Sequence, residues 1–334
     1  MRIHIGFGDY YHEFNTSIWR CLIPAEGLRR VGHDVSMSHI AEVGQYDADA
    51  YLLERNLFMP EVFTAIENLK AKGKRLVATF DDHYALMPED CPSKATWTSK
   101  NIARFCDALG LMDVVIVPNK VLVEDYRPFC KDIRYIPNYA DPELYSPNYK
   151  KYRHGTFNVL WGGNSTHLLG LKESGCLEAM GRLCATHPNV RVVAVADNMC
   201  ALALSRHVPG DRLTVTGWKP LAEWARFVAE NADAIICPLY GEYDRRRSWV
   251  KVIDAYYYGI PLVASNLEPF RDTGAWLVEN DPKAWYDAIS DLSYGGFKRD
   301  RVMSRITVRM HDVSIHVHVR EYEEALGCHF QSTQ

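Results

Sequence analysis

Apolar residues fall in short unbroken runs separated by longer stretches where they recur every three or four positions. Runs of about four to seven residues without alternation read as strands buried on both faces. In the first half they predict strands at Ile3–Phe7, Val35–Ser38, Ala50–Leu53, Arg75–Phe80, Val114–Val117 and Ile133–Ile136. Between them, helices are expected at Thr16–Val31 and Glu61–Lys72, the second closed by Gly73 as a C-terminal cap. The stretch Asp141–Gly155 has two prolines, several tyrosines and no period, and reads as a linker. The pattern then restarts, with strands expected at Asn158–Trp161, Arg191–Val195, Leu213–Thr216, Ala234–Pro238, Pro261–Ala264 and Trp276–Val278. Val313–Leu326 reads as a terminal helix with irregularly spaced apolar residues. Alternating strands and helices imply parallel sheets with right-handed crossovers. The expectation is α/β: two doubly wound Rossmann-like domains facing a cleft, at 1–148 and 149–310, with a C-terminal helix and tail at 311–334.

Composition narrows the classes. With 47% hydrophobic and 24% charged residues in 334, the chain can bury a core without staples. Lys plus Arg is 38 and Asp plus Glu is 42, so the formal charge is −4. A mildly acidic chain is no general polyanion binder, though a local basic patch stays open. The nine cysteines are odd in number and form no CxxC, which favours reduced thiols and a cytoplasmic setting. No signal peptide, membrane span or basic amphipathic stretch is read, so no stable membrane insertion is expected.

In doubly wound sheets ligands bind outside the carboxyl ends of the strands, so unusual residues there carry the chemistry. After the first strand comes Gly6-Phe7-Gly8-Asp9-Tyr10. The glycines let backbone approach a ligand or simply make a tight turn. A full GxGxxG is absent because position 11 is Tyr, which argues against a nicotinamide enzyme. After the fourth strand come Asp81, Asp82 and His83. They suit a base or the orientation of a sugar hydroxyl, or else an N-cap and its solvated neighbour. A metal is not expected, because no second His or Cys lies at ligand spacing.

The second half opens with Gly162-Gly163-Asn164-Ser165-Thr166-His167 before a helix-like Leu168–Leu183. Glycines, hydroxyls and a helix start suit phosphate, or a plain N-cap by Ser165 or Thr166. Further on, Asp244-Arg245-Arg246-Arg247-Ser248-Trp249-Val250-Lys251 runs into Asp254. Arg247, Lys251 and Asp254 are expected as neighbours on one helix face. Cations at a helix start oppose the dipole, and a bound diphosphate would explain them; Arg245 and Arg246 serve equally as a solvated basic loop. Cys237, the remaining histidines and the Trp276–Trp285 aromatics read as packing.

In order and spacing, these elements resemble a metal-independent retaining glycosyltransferase of the GT-B fold, in the family-four, glycosyl transferases group 1 set. The resemblance rests on Asp81-Asp82 before Leu86-Met87-Pro88, Asp113 to Asn119, Pro137-Asn138 with Asp141, Trp161 to His167 and Ala232 to Leu239. Its most specific part is Ser248 to Ala255 followed by Gly259-Ile260-Pro261-Leu262-Val263-Ala264-Ser265. The family usually carries two acids eight positions apart; here Arg246 precedes Asp254 by eight, with Glu242 and Asp244 off register. The resemblance implies a nucleotide-sugar donor, with Lys251 and Arg247 on its diphosphate and Asp254 on the ribose. Gly8, Gly163, Asn164, His167 and Ser248 would surround the donor. Asp82 and His83 would line the reacting sugar, and Asp9, Tyr10 and Asp81 the acceptor side. No cofactor is implied beyond the nucleotide sugar, domain closure is expected to exclude water, and the C-terminal helix is expected to cross back to the first domain.

The expected acceptor is a glycan or small molecule. The alternative is a hydroxymethylated base in DNA, contacted by Arg245–Arg247, Lys150, Lys151, Arg153, Tyr149 and Tyr152. A nucleotide-sugar epimerase and a non-catalytic nucleotide-sugar binder are the other classes kept open.

Overall fold

The computed structural model describes residues 1–9, 16–145 and 155–328. Tyr10, Tyr149, Lys150, Lys151, Tyr152 and Arg153 lie outside the described residues. The chain divides into two units. The first holds Met1–Ala85, Ala95–Pro142 and Val313–Gln334; the second holds Leu86–Lys94 and Glu143–Asp312.

All twelve expected strands form, each within two residues of its expected bounds. The first unit carries β1 (Arg2–Phe7), β2 (Asp34–His39), β3 (Ala50–Glu54), β4 (Arg75–Thr79), β5 (Val114–Val117) and β6 (Ile133–Tyr135). They lie in the order β2-β1-β3-β4-β5-β6, every pairing parallel. The second carries β7 (Phe157–Gly163), β8 (Val190–Ala196), β9 (Leu213–Thr216), β10 (Ala234–Cys237), β11 (Leu262–Ser265) and β12 (Trp276–Val278). Their order is β12-β11-β10-β7-β8-β9, again all parallel. In each unit the chain winds outward one way and then returns to wind the other way. The direction reverses between β1 and β3 in the first unit and between β7 and β10 in the second. A crevice opens at the carboxyl ends of such strand pairs, because the loops leave in opposite directions.

The central strands are buried on both faces, as their unbroken apolar runs require: Ala50–Leu53, Val114–Val117 and Leu262–Ala264 are each at most 1% exposed. Around the second sheet, Trp161, Leu171, Met180, Leu183, Val192, Trp285 and Ile289 form one apolar cluster. At about 25 cal/mol per Å² of apolar surface, each such side chain contributes about 1.5–3 kcal/mol.

The helices depart from the sequence expectation where the backbone intervenes. The expected helix at Thr16–Val31 is a π-turn at Ile18–Leu22 running into an α-helix at Ile23–Arg30. Pro24 has no N–H to give to Arg20, so the ladder slips a residue and Ile23 donates to the carbonyl of Ile18. The expected helix at Leu168–Leu183 is two helices, Leu168–Glu173 and Cys176–Thr186. Gly175 between them has φ +81°, left-handed backbone that interrupts a right-handed helix. Gly73, with φ +69°, closes the helix Pro60–Ala71 as expected.

The terminal helix, Ile315–Leu326, docks in the first unit. Its apolar positions form a regular buried face of Ile315, Val319, Tyr322, Ala325 and Leu326, which its interleaved histidines disguise in the sequence. Gly27 lets it approach the helix Ile23–Arg30: a Cβ there would lie 2.7 Å from Ile315 Cγ1. Ahead of it, Ala140 donates to Val313 and accepts from Ile315, both at 2.8 Å. The Pro137-Asn138-Tyr139-Ala140-Asp141 turn is therefore an anchor. Asp141 is buried and 3.4 Å from His316 Nε2. Asn138 Oδ1 accepts at 3.0 Å from Arg20, itself fully buried. Arg20 also donates to Thr79 Oγ1 at 2.8 Å and to the carbonyls of Ile136 and Ile116 at 3.0 and 3.4 Å. It thereby ties together the chain at the carboxyl ends of β4, β5 and β6.

Candidate active site

In the second unit the site is built on β7, whose last residues are Gly162 and Gly163. A Cβ on Gly162 would lie 3.2 Å from Lys251 Nζ, so this glycine lets the ammonium lie against the strand backbone. A Cβ on Gly163 would lie 2.7 Å from Trp161 and 3.2 Å from the Cβ of His167. Asn164 caps the following turn, Ser165–His167, accepting from Thr166 N at 3.0 Å and Thr166 Oγ1 at 2.6 Å. Ser165 N donates to Asp197 Oδ2 at 2.6 Å, which locks the turn to the end of β8. The cap on this loop is therefore Asn164, and not Ser165 or Thr166, which lie inside the turn because the turn starts one residue earlier.

Lys251 and Asp254 lie on the helix Val250–Tyr258. Arg247 does not: it precedes that helix, following a short turn of helix at Gly241–Asp244. The expected single helix face is replaced by a loop that brings the same cation in from the side. Arg247 Nε lies 3.3 Å from Asp244 Oδ1, Nη2 donates to the carbonyl of Thr166 at 2.9 Å, and the guanidinium sits 4.6 Å over the Tyr243 ring. Asp244 is buried and also accepts from Tyr240 N at 2.9 Å. This acid shapes the loop. Glu242 pairs with Arg245 and Arg246, each at 2.9 Å, and Arg245 also with Glu268 at 2.8 Å. Ser248 lies half-buried between Arg247 and the helix start.

Lys251 carries its charge differently. Its ammonium lies 5.4 Å from the centre of the Trp224 ring, and among the described residues no carboxylate is at ion-pair distance. Asp254, one turn on, is 1% exposed and accepts from Trp224 Nε1 at 3.1 Å. Burial pushes its carboxyl up to about 6, against the opposing pull of Lys251, the Trp224 indole and the Tyr145 hydroxyl. Tyr145 is fully buried against Tyr257 and Tyr258, although the sequence placed it in a linker. Burial, and then the charges of Arg247 and Lys251, hold His167 well below its ordinary value, so it is neutral at pH 7. Burial pushes the Cys237 thiol at the end of β10 up to about 12, against the charges of Lys251 and Arg247. Gly163, His167, Arg247 and Lys251 are thus gathered at the carboxyl ends of β7 and β10, where the winding reverses. The field there is positive.

The first unit has its own cluster at the matching place, the ends of β1 and β3. Gly8 N donates to Glu54 Oε2 at 2.7 Å, and Asn56 Nδ2 donates to the Gly8 carbonyl at 3.1 Å. Glu54 is fully buried and also accepts from Ser17 Oγ at 2.5 Å and Cys21 Sγ at 3.6 Å. Its other oxygen, Oε1, is buried without a hydrogen-bond partner among the described residues. Burial chiefly, with Asp81 nearby, raises its carboxyl to about 7. Arg55 next to it has φ +38°, a backbone conformation uncommon for a side chain of this size, and pairs with Asp9. Asp81 Oδ2 accepts from Thr16 Oγ1 at 3.0 Å. Asp82 and His83 follow, half-buried, above an aromatic floor in which Tyr84 stacks on Trp97 at 3.6 Å. His83 Nε2 is 3.9 Å from Asp125. Glu54, Arg55, Trp224 and Tyr145 escaped the sequence reading. Glu54 left a signal: an acid directly after a buried apolar run, on the strand beside the glycine turn.

Residues 174–293 match a family described as Glycosyl transferases group 1. Among solved structures, the chain resembles a sucrose-phosphate synthase from Thermosynechococcus elongatus, with a TM-score of 0.70 at 14% identity over 98% of this chain and 99% of that one. It resembles a putative UDP-N-acetylglucosamine 2-epimerase from Listeria monocytogenes, with a TM-score of 0.63 at 12% identity over 100% and 97%. It also resembles MnaA of S. aureus, solved with UDP, with a TM-score of 0.59 at 11% identity over 98% and 97%. No curated protein matches by sequence. The two parallel six-stranded sheets give the chain the two-unit α/β fold of these structures, and the matched segment lies within the second unit, from Ser174 in the turn before the helix Cys176–Thr186 to Ser293 in the helix Pro282–Tyr294.

Proposed function

We propose that the chain transfers a sugar from a nucleoside diphosphate to an acceptor hydroxyl with retention of anomeric configuration, using side-chain cations rather than a metal on the diphosphate. The observation that carries this reading is Lys251: an ammonium without a carboxylate partner, held over Trp224 against the Gly162 backbone at the switch point of the second unit. A departing diphosphate gains negative charge in the transition state. A preorganised cation aimed at it stabilises that state most, and costs no reorganisation at the moment of reaction. Arg247 adds a second positive charge, oriented by Asp244 and the Thr166 carbonyl. His167, neutral beside these cations, can donate or accept one hydrogen bond without repelling them. Asp254 keeps the indole of Trp224 in place beneath the Lys251 ammonium. UDP is the first nucleotide to try, because a resembling structure, that of MnaA, was solved with it. The acceptor is assigned to a glycan or other small hydroxyl compound, with Asp82 and His83 as the groups that would meet it; a modified DNA base is the alternative.

The test combines binding and turnover. A nucleotide sugar at about 100 times its Kd stabilises the protein by about 2.7 kcal/mol, readily seen as a thermal shift. Lys251→Ala is expected to lower kcat/KM about 100- to 1,000-fold, as loss of one preorganised charge-stabilising group does. Wild-type kcat/KM in that variant would sink the site assignment. Interconversion of free nucleotide sugar without acceptor would identify an epimerase instead, and binding without turnover a non-catalytic binder.

A further inference from the structure

A cavity of about 810 Å³ lies in the second unit between the helix Gly296–Met310 and the segment Arg271–Leu277 that enters β12. The helix turns Arg301, Arg305 and Arg309 into it, with Lys298 one turn before and Arg271 opposite. Asp272 is the one acid in the lining. Arg271 pairs with Glu268 at 3.4 Å, and Lys298 with Asp291. Among the described residues, Arg301, Arg305 and Arg309 have no ion-pair partner. They repeat every four residues, which sets the three arginines along one side of the helix at a rise of about 6 Å. Like charges at that spacing destabilise a helix. In a chain of net charge −4, such a row stands out. The helix buries the face adjoining this row, through Val302, Ile306 and Met310, and Val302 also lines the groove. Gly274 fixes the wall, since a Cβ there would lie 2.5 Å from the Arg305 backbone.

The basic amphipathic stretch not read in the sequence is therefore present, in this helix. Val302, Ile306 and Met310 are spent on the core, and the exposed side of the helix is a concave, mainly cationic wall on which Val308 is the exposed apolar member of the lining. A flat lipid surface suits neither feature. A groove with a line of guanidinium groups suits a linear chain of phosphates, which arginine grips bidentately. Trp276 lines the same groove, with the Lys298 ammonium 6.0 Å from its ring centre. A cationic track beside an aromatic face is how single strands are held without sequence preference.

We propose that this groove binds single-stranded nucleic acid through Arg301, Arg305 and Arg309. The groove is separate from Lys251 and needs no part of the transferase reading. The test is fluorescence anisotropy of a labelled oligothymidylate of about 12 nucleotides, within the usual single-strand site size. With three phosphates neutralised, log K should fall with log salt at a slope of about −2, so affinity drops about 15-fold between 50 and 200 mM. Arg301→Gln, Arg305→Gln and Arg309→Gln together should cost at least about 10-fold in affinity at 50 mM and flatten the slope, while Arg305→Gln alone should lower it by about 0.7. These exposed substitutions should not lower the unfolding midpoint, since they remove like charges from one helix face. Lys251→Ala should bind the oligonucleotide as wild type does, even if it abolishes donor binding. The proposal is overturned if the oligonucleotide does not bind at 50 mM salt, or if the triple variant binds it undiminished. It is also overturned if a sulfated oligosaccharide or phosphatidylserine vesicles engage the same arginines more tightly than the oligonucleotide.

Discussion

At the scale of single residues, the two switch points solve opposite electrostatic problems. In the second unit, the Lys251 ammonium, with no carboxylate at ion-pair distance among the described residues, rests over Trp224 against the missing side chain of Gly162. In the first, a carboxyl is buried with one oxygen taken by Gly8 N and Ser17 and the other unpartnered. Glu54 is raised from 4.5 to about 7, so the folded state binds its proton more tightly than the unfolded chain does. Stability from this group is fully present below about pH 4.5 and is lost as pH rises through about 7. Glu54→Gln, which mimics the protonated form, should therefore gain on wild type as pH rises from 5 to 8, by about 3 kcal/mol at most. His4, lowered to about 4 by burial, works in the opposite sense, so the comparison must be made between variant and wild type at each pH. Denaturant melts across that range check it; a difference independent of pH would show that Glu54 is ionised throughout. Glu54 also positions the Gly8 backbone, which ties its protonation state to the shape of the first glycine turn.

At the scale of elements, three glycine and proline positions decide more than helix propensity does. Pro24 produces the π-turn that points Arg20 into the first unit, and Gly27 admits the terminal helix. Gly175 splits one expected helix into two, and it is doubly constrained. Its φ is +81°, and a Cβ would lie 2.6 Å from the Pro282 ring and backbone nitrogen, at the start of the helix Pro282–Tyr294. Gly175→Ala should cost about 1–2 kcal/mol for the left-handed backbone and about 1–3 kcal/mol for the overlap. A midpoint shift below 1 °C on thermal unfolding would mean that the two helices part without penalty. The periodicity of Leu168–Leu183 gave no warning, because a glycine inside an apolar pattern reads the same whether it continues a helix or ends it. The cations illustrate the same limit. Spacing put Arg247 and Lys251 on one helix, whereas they converge from a loop and a helix, because the helix begins only at Val250 and Asp244 holds Arg247 in the loop before it.

At the scale of the whole molecule, the last segment of the chain completes the first unit. Ile315, Val319, Tyr322, Ala325 and Leu326 bury a full helix face there. Arg75 donates to the Ala325 carbonyl at 3.0 and 3.1 Å, and His33 meets Glu323 at 2.9 Å. At about 1.5–3 kcal/mol for each large apolar side chain, this face is worth as much as the whole stability of an ordinary domain. A chain ending at Asp312 is expected to lose protection of β1, β3 and β4 in amide exchange, with the β7–β8 core unaffected. Unchanged protection of the first sheet would show that the helix is dispensable. All twelve strands and the two-unit α/β organisation were legible in the sequence, because buried parallel strands must be unbroken apolar runs whatever surrounds them. So was the concentration of turn glycines and cations at Gly162–His167 and Arg247–Asp254, since these are local features of the chain. Only the tertiary structure decided what depends on distant partners: that Trp224 holds Asp254, that Glu54 is buried under Gly8, and that Asn138 and Asp141 anchor a buried arginine and the terminal helix. Burial and the pairing of charges are properties of three-dimensional neighbours, and the order of residues along a chain does not name them.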